Sequence, residues 1–152
     1  MSRALMLVAL VSVTGACTTS CIRNAQDDQR FLERGVSERV ELPGHELLER
    51  VSEQAVVARY IGPRSDVAAQ VEMEGATFGP LWFTPPPSDP LTYITGARYT
   101  EPGGQRCFVT IGRYDDVGKV PVHLKLSADQ ENDLRNGEQE LIEITTTCEG
   151  SG

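Results

Sequence analysis

Few residues in this 152-residue chain have the type and spacing for chemistry, and they are scattered. His45-Glu46-Leu47-Leu48-Glu49 starts like the zinc motif His-Glu-x-x-His, but Glu49 stands where the second histidine belongs. On a helix His45 and Glu49 would lie one turn apart, and His123, the only other histidine, would be needed as a third ligand. Asp129, Glu131, Asp133 and Glu140 sit at offsets 1, 3, 5 and 12 of an EF-hand loop, yet Leu134 holds the position that loop gives to glycine. Ser127 and Gln130 read as the capping box of a helix over the same residues, and a helix excludes the curled backbone calcium needs. Asp115 and Asp116 suit a solvated hairpin turn better than paired catalytic carboxylates. The chain has no Gly-x-Ser-x-Gly elbow, phosphate-cradling glycine loop, Cys-x-x-Cys pair or Ser-x-x-Lys motif. The reading leans away from an enzyme and calls for no catalytic residue, metal or cofactor.

The segment most suited to recognition is residues 78–87. It holds the only tryptophan and two of four phenylalanines, as Phe78, Trp82 and Phe83, followed by Pro85-Pro86-Pro87. Aromatic rings beside stiff backbone cost little entropy to hold in place and make good binding anchors. Phe78, Trp82, Phe83 and Pro85 are therefore the expected partner-binding residues. A core role for Trp82 or Phe83 is the competing expectation, because the chain is short of aromatics.

Cys107 shares a strand parity with Val109 and Ile111, and Cys148 shares one with Ile142, Ile144 and Thr146. Each cysteine thus falls on the aliphatic face of its strand, and a Cys107–Cys148 disulfide is expected where oxidation is allowed. Closing that loop would stabilise the domain by about 3–4 kcal/mol in the chain-entropy account. Cys21 has no evident partner.

Met1-Ser2-Arg3, the apolar run at residues 4–13 and the small residues Gly15-Ala16 before Cys17 have the layout of an export signal. The apolar run is too short to span a bilayer permanently. This segment resembles the lipobox of bacterial lipoprotein precursors, with Gly15, Ala16 and Cys17 in place and Thr14 where that family usually places Leu. The resemblance covers only the first 17 residues and implies cleavage of residues 1–16, lipidation of Cys17 and attachment to a membrane. Position 18 is Thr rather than Asp, which in that family implies the outer membrane where the host has one. The alternative is cleavage after Ala16 to give a soluble secreted or periplasmic protein.

Arg3 is the one basic residue in the leader, so the remaining chain carries one fewer than 14 Lys plus Arg against 22 Asp plus Glu, a net charge near −9. Such a surface repels phosphate backbones and argues against nucleic-acid binding.

The elements that must position these residues read as follows. Residues 17–34 are polar and suit a spacer after the lipidated cysteine, and residues 35–150 form a single β-rich domain. Alternation, β-rich composition and bounding turns predict strands at 36–42, 56–61, 91–100, 106–114, 119–126 and 139–148, with weaker ones at 67–73 and 76–83. The spacing of Leu47, Leu48 and Val51 predicts a short helix, and a second of about nine residues follows Ser127 and ends at Gly137. The expected fold is mainly β, a small β-sandwich or partly open barrel with one or two short helices. The expected function is a noncatalytic envelope lipoprotein binding an envelope protein or cell-wall component, with a small envelope hydrolase of scattered site residues as the alternative.

Overall fold

A computed structural model describes residues 18–52 and 54–150, with side chains from residue 25 onward. The leader at residues 1–16 and the lipidation site Cys17 lie outside the described residues. The fold is mainly β: five antiparallel strands form one open sheet in the order β1-β2-β5-β4-β3. These are β1 (Glu46–Ser52), β2 (Val56–Pro63), β3 (Leu91–Thr100), β4 (Arg106–Tyr114) and β5 (Gln139–Cys148). Three helices accompany them, α1 (Thr18–Glu38), α2 (Val67–Gln70) and α3 (Ala128–Asn136).

The last strand is the central one, bonded to β2 on one side and β4 on the other. Its alternation sends Ile142, Ile144, Thr146 and Cys148 to one face and Leu141 and Glu143 to the other, every one of them buried. Cys107 faces Cys148 in register, with Cα atoms 4.0 Å and sulfurs 2.07 Å apart, a disulfide distance.

Residues 18–34, read from composition as a spacer, belong to α1, which packs on the Ile142–Ile144 face. Its inward stripe is Gln29, Leu32, Glu33, Val36 and Ser37, continued by Val40 just beyond the helix. The spacing is helical, but three of the six are polar, which hides the stripe from a hydrophobicity count. The polar members are bonded: Glu33 Oε1 accepts from the Cys148 N–H at 2.9 Å and from Gln29 Nε2 at 3.1 Å. At the far end, Arg50 donates to Ser37 Oγ at 3.2 Å and to Tyr60 Oη at 3.2 Å. The first predicted strand, at 36–42, is thus the end of α1 and the turn after it, which keep Val36, Val40 and Leu42 buried.

Three further expectations are corrected. Residues 46–52 form strand β1 rather than a helix, because the run pairs with β2 through a register shift between Leu47 and Glu49. Residues 67–73 give the single turn α2, and 76–83 contribute only an isolated bridge, Gly79 with Gly96. Residues 119–126, the cleanest alternation in the chain, form no strand. Pro121 has no N–H for a ladder, both central neighbours of β4 are taken, and the segment makes two 3-10 turns, Val117–Lys119 and Val122–Leu124. Val122 is 97% exposed, whereas Val120, Leu124 and Leu126 cover Ile61, Tyr114 and Leu141 on the face opposite α1. The helix after Ser127 forms as expected, with both capping-box bonds present and Gly137 closing it at φ 74°.

Because α1 supplies the cover of one sheet face, a chain beginning at residue 35 is expected to lose most of its stability. Urea unfolding of that truncation beside the chain beginning at residue 17 should show a much lower midpoint; equal midpoints would make the segment a dispensable spacer.

Candidate functional site

The predicted binding segment crosses the edge of the sheet. Phe78 packs with the core beneath α1, beside Val71 and Met73. At the next residue the chain pairs with β3: Gly79 N–H donates to Gly96 O at 2.9 Å and Gly96 N–H to Gly79 O at 3.1 Å. Thr95 Oγ1 adds a bond to Gly79 O at 2.9 Å. Beyond this bridge the chain passes to the opposite face, where Trp82 settles over Gly96. A Cβ at position 96 would stand 2.8 Å from the indole ring, so only glycine leaves room for it.

Trp82 is half-buried. Its ring centroid lies 5.7 Å from Phe108 and 6.0 Å from Phe83, and the Arg98 guanidinium sits 5.1 Å from the ring centre in cation–π geometry. Phe83 meets Tyr93 edge-on at 5.3 Å and is 38% exposed. Of the four expected residues, then, Trp82 and Phe83 form one aromatic shelf, Phe78 belongs to the other face, and half-buried Pro85 follows in the loop. Phe108, Tyr93 and Arg98 complete the shelf and went unnoticed in the sequence; the alternation of Phe108 against Cys107 was the available signal.

The proline loop is fixed to the sheet by Asp89, whose carboxylate accepts from Leu91 N–H at 3.0 Å and Tyr93 Oη at 3.1 Å. Burial, with Asp89 and Glu143 nearby, pushes the Tyr93 hydroxyl up to about 12, so it stays a donor.

Below the shelf a polar row crosses the same face. Glu143 Oε2 accepts from Arg59 Nε at 2.8 Å and from Tyr114 Oη at 2.6 Å, and Arg59 also pairs with Glu49. His123 Nε2 lies 2.9 Å from Glu49 Oε1. Burial together with the Glu143 carboxylate raises the Tyr114 hydroxyl, which therefore remains protonated.

The other histidine sits elsewhere. The His45 ring fills the space left by Gly62, where a Cβ would be 2.6 Å from it, and its Nε2 faces Glu140 Oε1 at 3.3 Å. That oxygen also accepts from Ser65 N–H at 3.0 Å and Ser65 Oγ at 3.1 Å, while Arg113 Nη1 reaches Glu140 Oε2 at 3.4 Å. The imagined shell of His45, Glu49 and His123 is split: Glu49 and His123 meet, and His45 belongs to Glu140. Among the described residues no group of three or more His, Cys, Asp or Glu is placed to hold a metal. Of the calcium-like residues, Asp129, Glu131 and Asp133 lie in α3 and Glu140 serves the His45 cluster.

Comparison with protein-family models, with curated proteins and with solved structures finds no match to this chain. Functional inference therefore rests on geometry. The Ser65 hydroxyl and the His45 imidazole share one carboxylate oxygen instead of bonding to each other, which is an arrangement for satisfying a buried charge rather than activating a nucleophile. The aromatic shelf, by contrast, reaches solvent.

The polar row makes stability depend on acid. Burial opposes the charged form of Glu49, but bonds from His123 and Arg59 outweigh it and hold the carboxyl below the usual range. Asp115 is lowered in the same direction by a bond from Thr92, with Arg113 assisting. A carboxyl lowered on folding stabilises the native state above its unfolded pKa and loses that contribution as pH falls through the folded value. Stability is thus expected to drop from about pH 5 to about pH 3, the region below ordinary carboxylate values. Urea midpoints measured across that range should show the drop, and Glu49→Gln should shrink it.

Proposed function

We propose that this chain is a noncatalytic binding domain, held at a bacterial membrane outside the cytoplasm by lipid on Cys17. Its contact surface for another envelope component is the shelf of Trp82 and Phe83. The observation that carries this is the exposed Phe83 ring beside Trp82, on a loop tied to β3 through Asp89. Such an arrangement presents aromatic area already ordered, so a partner binds without paying to organise it.

Several features support the address. The export-signal layout stands at the start of the chain, and Cys107 and Cys148 lie at disulfide distance, as suits an oxidising compartment. Helix α1 begins at Thr18, next to the proposed anchor, and among its described side chains, from residue 25 onward, the first fully buried one is Glu33. At 1.5 Å per residue, the stretch of α1 from Thr18 to Glu33 spans about 22 Å, so a helix rather than a slack tether would lead from the anchor to the sheet. Durable anchoring would need more than one acyl chain on Cys17. The partner is an envelope protein or a cell-wall component; if Cys17 carries no lipid, the same domain acts as a soluble secreted or periplasmic protein. A hydrolase site built on His45 and Glu140 is disfavoured, because their side chains are 0% and 1% exposed.

Phe83→Ala is expected to fold normally and to lose more than about 2 kcal/mol of partner binding, as a central aromatic anchor does. Crosslinked recovery of partners from envelope extracts by the native chain and by F83A measures this. Equal recovery by a folded F83A would remove the shelf as the contact surface.

Mass spectrometry of protein from a native host should find a mature N-terminus at Cys17 carrying lipid. Nonreducing peptide mapping of the same sample should find Cys107 joined to Cys148. An unmodified mature mass would favour the secreted form, and Cys21 bridged to either cysteine would refute the assigned pairing.

A further inference from the structure

A groove of about 490 Å³ lies beside α1, the helix that covers the face opposite the aromatic shelf. Phe31, Leu32 and Gly35 form its α1 wall. The other wall is Glu101 and Gln105, in the turn between β3 and β4, and Glu149, just after β5. Asp28 stands at one end and Arg39 at the other, about 16 Å apart at helical rise, which is three turns.

Two features of the α1 wall gain nothing from the rest of the chain. Phe31 is 82% exposed, which taken alone is ordinary on a protein surface. One turn further on, however, Gly35 sits in helical backbone without a positive φ, and a Cβ there would meet no atom within 4 Å. Glycine is the poorest helix former after proline, so this position weakens α1 with no packing reason inside the domain. What it leaves is a hollow beside the exposed ring where another backbone can approach closely. Small residues at a crossing point are what bring two helix axes near each other.

The groove is also acidic. Three carboxylates line it against the single guanidinium of Arg39, which is already bonded to Glu101 and, at 3.1 Å, to Tyr99 Oη. Asp28 is exposed and forms no side-chain hydrogen bond or ion pair among the described residues. Arg106 reaches Glu149 at 2.7 Å from outside the groove, but these side chains are 68% and 44% exposed, so water screens the pair. The end marked by Asp28 and Glu149 therefore favours a cation.

We propose that this groove docks a basic amphipathic helix of about three turns, supplied by another protein. Its apolar stripe packs on Phe31 and Leu32, its point of closest approach sits over Gly35, and Lys or Arg on its flank meets Asp28 and Glu149. A second copy of this chain is the wrong occupant, because it would bring its own Asp27 and Asp28 and a net charge of −8 against the same carboxylates. The shelf lies on the other face, so either surface can fail without the other.

Titration calorimetry of the full mature chain with an amphipathic Leu/Lys peptide of about 14 residues tests the proposal. The control is a peptide of the same composition, shuffled so that its leucines share no helical face. The ordered peptide is expected to bind and the shuffled one to bind much more weakly. Phe31→Ala should weaken binding at least about tenfold, as truncation of a central aromatic anchor does. Gly35→Leu should abolish binding while keeping or raising the unfolding midpoint, because the new side chain meets no atom and improves helix propensity. Asp28→Asn should weaken binding and flatten its dependence on salt. If G35L lowers the midpoint, F31A decides, since truncating an exposed ring leaves the core intact. Equal binding of the two peptides would reduce the effect to bulk charge attraction and overturn the proposal, as would undiminished binding by a folded G35L or no binding of the ordered peptide. Sedimentation with phosphatidylcholine vesicles tests the bilayer instead: F31A-sensitive vesicle binding without peptide binding would assign Phe31 to lipid and overturn the helix groove.

Discussion

A single open sheet has two faces to cover, and this chain has one long helix to do it with. Everything else in the fold follows from that shortage. Helix α1 takes the face carrying Ile142, Ile144, Val109 and Ile111, all fully buried, where each large aliphatic side chain contributes roughly 1.5–3 kcal/mol. The opposite face is closed piecemeal: Val120, Leu124, Leu126 and Leu134 shield its lower end, and Trp82 shields the β3–β4 corner. Between them the row of Glu49, Arg59, Glu143 and Tyr114 occupies ground that no helix covers, where charged side chains tolerate partial contact with water.

Three buried glutamates do the work of alignment. Glu33 joins α1 to the end of β5, Glu140 gathers His45, Ser65 and Arg113 around the start of β5, and Glu143 collects Arg59 and Tyr114 at its middle. Taking a carboxylate out of water is costly, and well-packed hydrophobic residues often match or exceed a buried pair in stability. What the glutamates add is direction. An apolar patch accepts a neighbour at many offsets, whereas a carboxylate that must find particular N–H and O–H groups accepts one, and the three bonds to β5 place its partners at three separate heights.

How far the sequence could be read follows from the same division. β-rich composition and bounding turns located β2 and β3, and alternation located β4 and β5 with the shared parity of Cys107 and Cys148, because those strands lie in the sheet and one of their faces is dry. The capping box at Ser127 was legible because it is wholly local. Alternation misled at residues 119–126, where the pattern was present but no strand edge stood within reach of a short connection from β4 to α3. Helix α1 was obscured because Glu33 and Ser37 are inward-facing, and no composition rule marks a glutamate as buried until its partner, the backbone of Cys148, is known. The shelf was half legible: the aromatic cluster was evident, but the bridge at Gly79 that parts Phe78 from Trp82 depends on Gly96 in another strand. The His45–Glu140 contact joins residues 95 apart and left no local trace.

The junction of α1 with β5 also decides how the domain would carry mechanical load. Tension applied at the N-terminal end of α1 passes through Gln29 and Glu33 to Cys148, hence into the middle strand of the sheet, which is bonded along both sides. An edge strand such as β1 can be unzipped one pair at a time, but β5 moves only by breaking two ladders together. A domain tethered through that helix would resist pulling with its strongest seam, leaving the free edge and the aromatic corner undisturbed while the tether is taut.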